Sequence, residues 1–204
     1  MAPNDFSPTI DGFFTSLCKF KFNLIVSSLS GVYFVSYFAL VCCQSVRRGF
    51  PMNFVCLGLF TASFSVMVGA MTAFMEPYAV LIAVGITVLI VMTITFLAAC
   101  TPIDFTKCYF LLAVAGIVFF FFGIAIMIVM FVAPQHFKVL HLVYCAIGVL
   151  LFSLYLAFDT QRILGGKHIE LSEEDYVDGA LQLYVDIMQI FIYVLQLVQA
   201  AREN

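Results

Sequence analysis

Six long apolar segments separated by short polar breaks constrain the fold of this chain more than any other feature of its sequence. They lie at about residues 23–43, 53–75, 78–100, 108–133, 139–164 and 177–200. A helix needs about 20 apolar residues to cross a hydrocarbon layer of about 30 Å, and each segment reaches that length. The composition agrees, because 64% of the residues are hydrophobic and only 10% are charged. The sequence therefore predicts an all-α, polytopic membrane helix bundle with six transmembrane helices.

The segments divide the chain into a polar N-terminal tail at 1–22, a transmembrane domain at 23–200 and a short C-terminal tail at 201–204. The N-terminal tail lacks the charged, then apolar, then small-residue order of a cleavable signal peptide, so the first span is expected to direct insertion. Four of the breaks contain proline, which lacks the N–H group that a continuing helix needs. These breaks lie at 47–53, 76–78, 101–107 and 133–138.

The few charged residues predict the orientation of the spans. Loops on the side of Arg47 and Arg48 hold five lysines or arginines, against four on the other side when the N-terminal tail is included. Cytosolic loops carry the excess of these residues, so the side with Arg47 and Arg48 is predicted to be cytosolic. Asp104, in one of these loops, is interpreted as a solvated acid. The chain has no basic patch, which argues against nucleic-acid binding.

Seven cysteines lie in or beside the apolar spans, at positions 18, 42, 43, 56, 100, 108 and 145. Their spacing matches no metal-ligand pattern. Free cysteine behaves as a small hydrophobic side chain and is among the most buried residue types. The sequence therefore predicts small buried residues rather than a disulfide framework.

Two aspartates inside the last two spans are the most unusual residues of the sequence. Asp159 lies about six residues from the end of the fifth span, and Asp186 lies about ten residues into the sixth. At about 1.5 Å per residue, their depths from the same side are roughly 9 and 14 Å. Because the two spans run antiparallel with a short link, the two carboxyl groups are expected to face each other.

Other polar residues extend this pattern along both spans. In the sixth span they recur at three- and four-residue steps, at Asp178, Gln182, Asp186, Gln189, Tyr193 and Gln196. In the fifth span a similar stripe holds Tyr144, Gly148, Tyr155, Asp159 and Arg162. Unpaired polar groups in lipid cost free energy, so the stripes are expected to face protein or a water-filled path. The candidate residues that line such a path are Tyr155, Gln182, Gln189 and Tyr193.

Two interpretations of the aspartates stay open. In the first they hold helices together, but interhelical polar contacts in membranes stabilise by only about 0.6–2 kcal/mol. An acid at the helix centre costs about 2.5–3.5 kcal/mol on the insertion scale. In the second interpretation, which we favour, Asp159 and Asp186 share a proton and respond to pH. When deprotonated, they would offer the oxygen ligands that Ca²⁺ prefers.

The sequence YLAFDTQRILGGKHIELSEEDYVDGALQLYVDIMQIFIYVLQL, at 155–197, resembles the C-terminal signature of the transmembrane Bax inhibitor motif family, in its Lifeguard branch. Shorter stretches at 41–53, 80–98 and 104–108 resemble other parts of that family. The family fold has seven helices, and its first helix has no recognised counterpart in this sequence. The resemblance therefore implies the family fold without its first helix.

The resemblance also implies a function. Members of the family are associated with a pH-dependent Ca²⁺ leak from internal stores and with suppression of cell death. In the family, the residues that correspond to Asp159 and Asp186 form a hydrogen-bonded, proton-sensitive pair near the pore, which would bind Ca²⁺ in passing. In the family an arginine on an early helix latches the closed form, and the candidates here are Arg47 and Arg48, with Arg162 of the fifth span as a further candidate.

The resemblance also implies a set of candidate membranes and protein partners. The expected membranes are those of the endoplasmic reticulum, the Golgi or the endolysosomal system, with the plasma membrane as a further candidate. The expected protein partners are death-receptor or Bcl-2-type membrane proteins. No cofactor is expected, since Ca²⁺ would be the permeant ion.

Two other functions stay open. An intramembrane aspartyl hydrolase would also use two aspartates on adjacent helices. The Gly-x-Gly-Asp signature of such enzymes is absent, since Asp186 follows Leu-Tyr-Val, and we expect the chain not to be an enzyme. The second alternative is a non-conducting protein that restrains death signalling by binding other membrane proteins. Gly116, Gly123 and Gly148 are small residues that suit such helix contacts.

Overall fold

The computed structural model describes residues 27–132 and 134–202, except for the side chains of 134–137. Within these ranges every regular element is a helix, which confirms the predicted all-α fold. The predicted tail at 1–22 and the first four residues of the first predicted span lie outside the described residues. The chain forms two compact units, Met1–Ala73 and Phe74–Asn204.

The first unit pairs two apolar helices. Its described helices are α1 Ser27–Cys42, the short α2 Gln44–Arg48 and α3 Met52–Thr72. The Tyr33 ring of α1 packs against α3, with its centroid 5.1 Å from the centroids of both Phe60 and Phe64. Aromatic side chains bury large apolar surfaces, so these rings contribute strongly to the association of α1 with α3.

The second unit is a bundle of four long helices. Its elements are α4 Pro77–Cys100, a 3-10 turn Phe105–Cys108, α5 Tyr109–Val132, α6 Pro134–Leu164, a 3-10 turn Glu173–Asp175 and α7 Tyr176–Arg202. The central helix is α6, since it packs against α4, α5 and α7, and α4 also packs against α7. Leu156, Ile190 and Leu195 lie in the apolar core of this unit and are at most 1% exposed.

Among the described residues, five helices are long and apolar enough to cross a membrane, and the protein is an integral membrane protein. These spans are Met52–Thr72, Pro77–Cys100, Phe105–Val132, Lys138–Leu164 and Glu173–Arg202. The helix α1 is also apolar but is shorter within the described residues. Each of the six predicted segments therefore corresponds to an apolar helix, and most of the boundaries agree within a few residues.

One predicted break lies mostly inside a helix. The sequence predicts a break at 133–138, but α6 begins at Pro134. Proline is compatible with the first turn because the N–H group that it lacks would have no partner inside the helix there. Pro77 likewise begins α4. These prolines mark helix starts, and the break before α6 is shorter than predicted.

The prediction that the cysteines are buried is wrong for most of them. Among the six that the structure describes, Cys145 alone is buried, Cys56 is intermediate, and the other four are exposed. The exposed ones lie at or near helix ends, where packing places little demand on a small side chain. All six are free thiols.

Candidate functional site

Asp159 of α6 and Asp186 of α7 lie where these two helices pack together, and their buried carboxyl groups are close enough to interact. Asp159 is 6% exposed and Asp186 is 4% exposed. A hydrogen bond between two carboxyl groups needs one proton, because an ionised carboxylate can only accept. The charge of the pair therefore changes when that proton leaves. Its role as a proton sensor stays a prediction.

One oxygen atom of the pair has no N–H or hydroxyl donor. Asp186 Oδ2 is buried and receives no such hydrogen bond from the described residues. A buried oxygen of this kind is satisfied by the proton of a neighbouring carboxyl group, by water or by a cation. In the described part of the chain, no three His, Cys, Asp or Glu side chains form a metal-binding group. Ca²⁺ takes six or more oxygen ligands, and the role of the two carboxyl groups as transient Ca²⁺ ligands stays a prediction.

The link between α6 and α7 brings the two aspartates to a similar level. After Leu164 ends α6, Gly165 and Gly166 follow with φ of 73° and 74°. Glycine adopts this left-handed conformation without steric cost, and it commonly ends helices in this way. The chain then turns back, and the N–H group of Leu171 donates to the carbonyl of Arg162 at 2.9 Å. This short return lets α7 run back along α6.

Arg162, one of the three predicted latch residues, lies beside the pair. Its Nη1 atom is 3.7 Å from Asp159 Oδ1, and its Nη2 atom donates to Asp178 Oδ2 at 2.9 Å. Asp178 belongs to the predicted polar stripe but was not predicted as a site residue. The sequence did contain a signal for it, because Asp178 lies about two helical turns before Asp186 on the same polar stripe. Arg47 and Arg48 lie in the first unit, and their role as latches stays a prediction.

Three of the four residues predicted to line a path lie on α6 and α7 near the aspartate pair. The Tyr155 hydroxyl donates to the carbonyl of Leu112 at 2.7 Å, so this side chain is tied to α5. Gln182 and Gln189 are half-buried on α7, in the same helix as Asp186. Their role as path-lining residues stays a prediction.

Farther along α6, away from the pair, lies an aromatic cluster formed by Phe119, Tyr144, Phe152 and Tyr193. The rings of Phe119 and Tyr144 stack with centroids 4.2 Å apart, and Tyr193 lies across both at 84°. Gly148 makes room for this arrangement. A Cβ atom there would lie 2.8 Å from the Tyr193 ring and 3.0 Å from that of Phe119. The aromatic cluster therefore requires a residue without a side chain at position 148. It also contains Tyr193, the fourth residue predicted to line a path.

Gly116 and Gly123 of α5 accommodate tyrosines in the same way. A Cβ atom at Gly123 would lie 2.6 Å from the Tyr144 hydroxyl, and one at Gly116 would overlap the Tyr155 hydroxyl. Small residues let helices approach closely, and here the approaching groups belong to α6 of the same chain. The interpretation of these glycines and Gly148 as contact sites for other proteins is therefore corrected.

A second polar group lies beyond the aromatic cluster on the same two helices. Cys145 Sγ is 3.8 Å from the His141 ring nitrogens and 3.5 Å from Gln196 Oε1. The Tyr144 and Tyr193 rings lie nearby, with their centroids 5.7 Å apart. Polar groups therefore recur along the seam between α6 and α7, on both sides of the aromatic rings.

Gln161 was not predicted as an important residue, yet it joins three segments. It is 1% exposed. Its Nε2 atom donates to the carbonyls of Ala98 at 3.0 Å and Ile103 at 2.9 Å, and its Oε1 atom accepts from the N–H group of Phe105 at 2.8 Å. These bonds tie the end of α4 and the loop after it to the turn of α6 that carries Asp159.

The interpretation of Asp104 as a solvated acid is wrong, because its side chain is 15% exposed and joins two loops. It accepts from the Thr106 hydroxyl at 2.5 Å and from the N–H group of His168 at 3.3 Å. Thr106 Oγ1 in turn accepts from the N–H group of Ile169 at 3.2 Å. The Thr106 hydroxyl holds the pKa of Asp104 below its ordinary value against partial burial, with smaller help from backbone N–H groups and Lys107.

Comparison with known proteins agrees with the resemblance of the C-terminal helices. The chain matches the family described as inhibitor of apoptosis-promoting Bax1 over residues 10–203. It is 43% identical to protein lifeguard 3 of Homo sapiens over 166 residues, which are 81% of this chain and 53% of that protein. For protein lifeguard 3 of Mus musculus, the identity is 42%, over 82% of this chain and 53% of that protein.

A more distant relative is protein lifeguard 4 of Mus musculus, with 29% identity over 78% of this chain and 62% of that protein. The chain spans about half the length of the lifeguard 3 proteins that it matches. The family match nevertheless extends over almost all of the chain. The chain therefore belongs to the Bax inhibitor family, the inhibitors of apoptosis-promoting Bax1, and is similar to its lifeguard proteins.

Proposed function

We propose that this chain is a pH-sensitive, Ca²⁺-permeable leak channel of an internal membrane, in the endoplasmic reticulum, Golgi or endolysosomal system. By lowering the Ca²⁺ content of that store it would suppress apoptosis. The observation that carries the proposal is the buried contact between the carboxyl groups of Asp159 and Asp186. The chain belongs to the family described as inhibitor of apoptosis-promoting Bax1. This membership supports the proposed suppression of apoptosis.

A buried pair of carboxyl groups suits a proton sensor because its charge depends on one shared proton. Two ionised carboxylates in contact repel each other, so a proton bound between them is favoured. Loss of that proton leaves two negative charges among apolar helices, which is costly unless water or a cation enters. Deprotonation and the entry of Ca²⁺ are therefore coupled steps at this pair, and neither needs a cofactor.

The seam between α6 and α7 also has the length that a path across the membrane requires. Its polar groups extend from His141 and Cys145 near one end of α6 to Arg162 near the other. This stretch of α6 is about 30 Å long, which is the thickness of the hydrocarbon layer. The high burial of Asp159 and Asp186 is what a closed conformation of such a path requires.

The test is Ca²⁺ flux into liposomes that contain the purified chain, measured on both sides of neutral pH, between about pH 6 and pH 8. The variants are Asp159→Asn, Asp186→Asn and the double variant. Asparagine keeps the shape of the side chain but removes its charge and its proton. We expect flux that varies with pH in the wild type, and little flux without pH dependence in the double variant.

Glu173→Gln is the matched control, because it neutralises an exposed acid at the same end of the bundle. Its flux and its pH dependence should equal those of the wild type. Flux that keeps its pH dependence in the double variant would contradict the proposal. Cell protection without flux in any form would favour the non-conducting binding protein, with death-receptor or Bcl-2-type partners. Peptide cleavage that needs both aspartates would favour an enzyme.

A further inference from the structure

Two adjacent cysteines, Cys42 and Cys43, lie where the first apolar helix ends. Both are exposed free thiols. The helix α1 ends at Cys42, and Cys43 separates it from the short helix α2, whose last turn carries Arg47 and Arg48. The first predicted apolar segment also ends at residue 43. The two thiols therefore lie at the boundary between an apolar helix and its polar flank.

Large apolar side chains are exposed just beyond α2. Phe50, Met52 and Phe54 are 81%, 56% and 52% exposed. Exposed apolar patches of this kind mark surfaces that contact lipid or other proteins, and arginines beside them are attracted to anionic lipid headgroups. The segment 42–54 therefore has the composition of a stretch that lies against the membrane surface.

The backbone around Cys43 is held by local hydrogen bonds. Its N–H group donates to the carbonyl of Ala39 at 3.1 Å, and its carbonyl accepts from the N–H groups of Val46 at 3.0 Å and Arg47 at 3.1 Å. An enzyme that modifies a cysteine must take the surrounding chain into its own active site. Exposed segments that depend on few distant contacts are the ones that enzymes reach, and this segment meets that requirement.

The other described cysteines differ from these two. Cys145 is fully buried between α6 and α7, and Cys56 is partly buried within α3. Cys100 and Cys108 are exposed, but the chain between them is tied to α6 by the hydrogen bonds of Gln161. Among the cysteines that the structure describes, exposure, adjacency and a locally held backbone therefore occur together only at positions 42 and 43.

A simpler explanation is that both residues are small apolar side chains in contact with lipid. Free cysteine does behave as a small hydrophobic residue. That explanation fits a single cysteine at any lipid-facing position, but it gives no reason for two adjacent thiols at the boundary with water. An exposed thiol at such a boundary is open to oxidation, and a covalent cap on the sulfur would prevent it.

We propose that Cys42 and Cys43 are S-acylation sites, and that their substrate is a long-chain acyl-CoA. Cysteines beside a membrane span are common acceptors of this reversible modification. Each sulfur attacks the thioester carbonyl of an acyl-CoA and forms a new thioester bond at Sγ. The bond between that carbonyl and the sulfur of CoA breaks, and the proton of the cysteine thiol ends on CoA as its free thiol. The step needs no oxidant or reductant.

The location of the two thiols suits this chemistry. They lie on the side of Arg47 and Arg48, which is the predicted cytosolic side, where thiols stay reduced and acyl-CoA is available. Two acyl chains would enter the lipid beside the end of α1 and hold α2 at the membrane surface. The inference does not depend on the proposed leak function and goes beyond it.

The test is mass tagging by acyl exchange on the full chain, expressed in mammalian cells. Free thiols are blocked, thioesters are cleaved with neutral hydroxylamine, and each released thiol receives a polymer tag of fixed mass. We expect the double variant Cys42→Ser/Cys43→Ser to lose two tags relative to the wild type, and each single variant to lose one. Incorporation of an alkynyl fatty acid, measured on the same variants, should fall in parallel.

Cys56→Ser is the matched control. It makes the same substitution at a partly buried cysteine of α3, in the same unit of the chain. Its number of tags and its incorporation of the fatty acid should equal those of the wild type, because the proposal assigns no acyl group to this position.

Two results would overturn the proposal. If the double variant keeps the wild-type number of tags, any acyl groups are on other cysteines. Tags that appear after treatment with a reductant but not with hydroxylamine would indicate a disulfide instead of a thioester. Should the double variant not accumulate, the single variants carry the test. None of these results depends on Ca²⁺ flux, so the leak function is tested separately.

Discussion

The part of the α6–α7 pair that holds the aromatic cluster is packed by shape, whereas the part beside the link is held by charges and hydrogen bonds. In the first, the rings of Tyr193 and Phe119 fill the space that Gly148 leaves open. In the second, Arg162 contacts two buried carboxylates, and Asp186 Oδ2 has no N–H or hydroxyl donor from the described residues.

This difference indicates where stability and switching reside. Stacked rings in a close-packed interior have one good arrangement, and their contacts do not depend on pH. A charged group with one unsatisfied oxygen has several arrangements of similar free energy, and a proton or a cation selects among them. We infer that the aromatic cluster stabilises the helix pair, while the charged end responds to ions.

The largest effect on stability is expected for Gly148→Val. Valine would place its side chain in the space of the Tyr193 and Phe119 rings, which cannot move without breaking the stack. Overpacking of a tight core costs about 1–3 kcal/mol, and we expect the upper end of that range. The measurement is the thermal unfolding midpoint of the purified protein in detergent.

Gly85→Val is the matched control. It makes the same change on α4, where an added Cβ atom meets nothing within 4 Å. Its unfolding midpoint should stay close to that of the wild type, because valine has a better helix propensity than glycine and there is open space for it. Equal losses of unfolding midpoint in the two variants would show that the packing of the aromatic cluster does not depend on Gly148. The contrast between the aromatic cluster and the charged end of the helix pair would then disappear.

The sequence predicted the helices and the aspartate pair for physical reasons. Apolar runs of membrane length leave few alternatives to helices. Charged residues inside such runs are conspicuous, and the short link at 165–175 places Asp159 opposite Asp186. The three glycines of α5 and α6 were also recognised as small residues that suit close helix contacts. The sequence could not show that tyrosines of the same chain fill the space beside them.

Other parts of the site were not predictable from local patterns. The role of Gln161 depends on the tertiary position of the loop after α4, which the sequence of the fifth span does not reveal. The partial burial of Asp104 likewise depends on a second loop, which supplies the N–H group of His168. The pairing of Arg162 with Asp178 needed the geometry of the link. Each of these contacts joins segments that are distant in sequence or separated by a turn.

An intermediate effect is expected for Gln161→Leu, which tests how the charged end is held. Leucine keeps much of the volume but leaves the carbonyls of Ala98 and Ile103 and the N–H group of Phe105 without this partner. A buried group without a partner costs about 1–3 kcal/mol. We expect a loss of unfolding free energy of about 2 kcal/mol, measured by denaturation in detergent.

Gln182→Leu is the control for Gln161→Leu, since Gln182 is a half-buried glutamine of α7 and undergoes the same chemical change. Its loss of stability should be clearly smaller. In addition, Gln161→Leu should alter the pH dependence of Ca²⁺ flux, because Gln161 lies between Asp159 and Arg162 on α6. An unchanged pH dependence with reduced stability would mean that the loop contacts support the fold without positioning the pair.

The smallest effect is expected for Thr106→Val, and it should be visible through pH. The Thr106 hydroxyl is the main cause of the lowered pKa of Asp104. A carboxyl group whose pKa is lowered in the folded state stabilises the fold above its unfolded-state pKa of about 3.9, and this contribution is lost as the pH falls through the folded-state pKa. The difference in unfolding midpoint between wild type and Thr106→Val should therefore be largest near neutral pH and shrink below about pH 4.

Thr106→Ser separates the hydroxyl from the methyl group at this fully buried position. Serine can still donate to Asp104, so its difference from the wild type should not vary with pH, although the lost methyl group reduces packing. If Thr106→Val and Thr106→Ser show the same constant difference at every pH, the hydroxyl does not stabilise the ionised form of Asp104. The hydrogen bonds of Asp104 would then add nothing to the stability of its ionised form, and charge would matter at this end of the bundle only around the aspartate pair and Arg162.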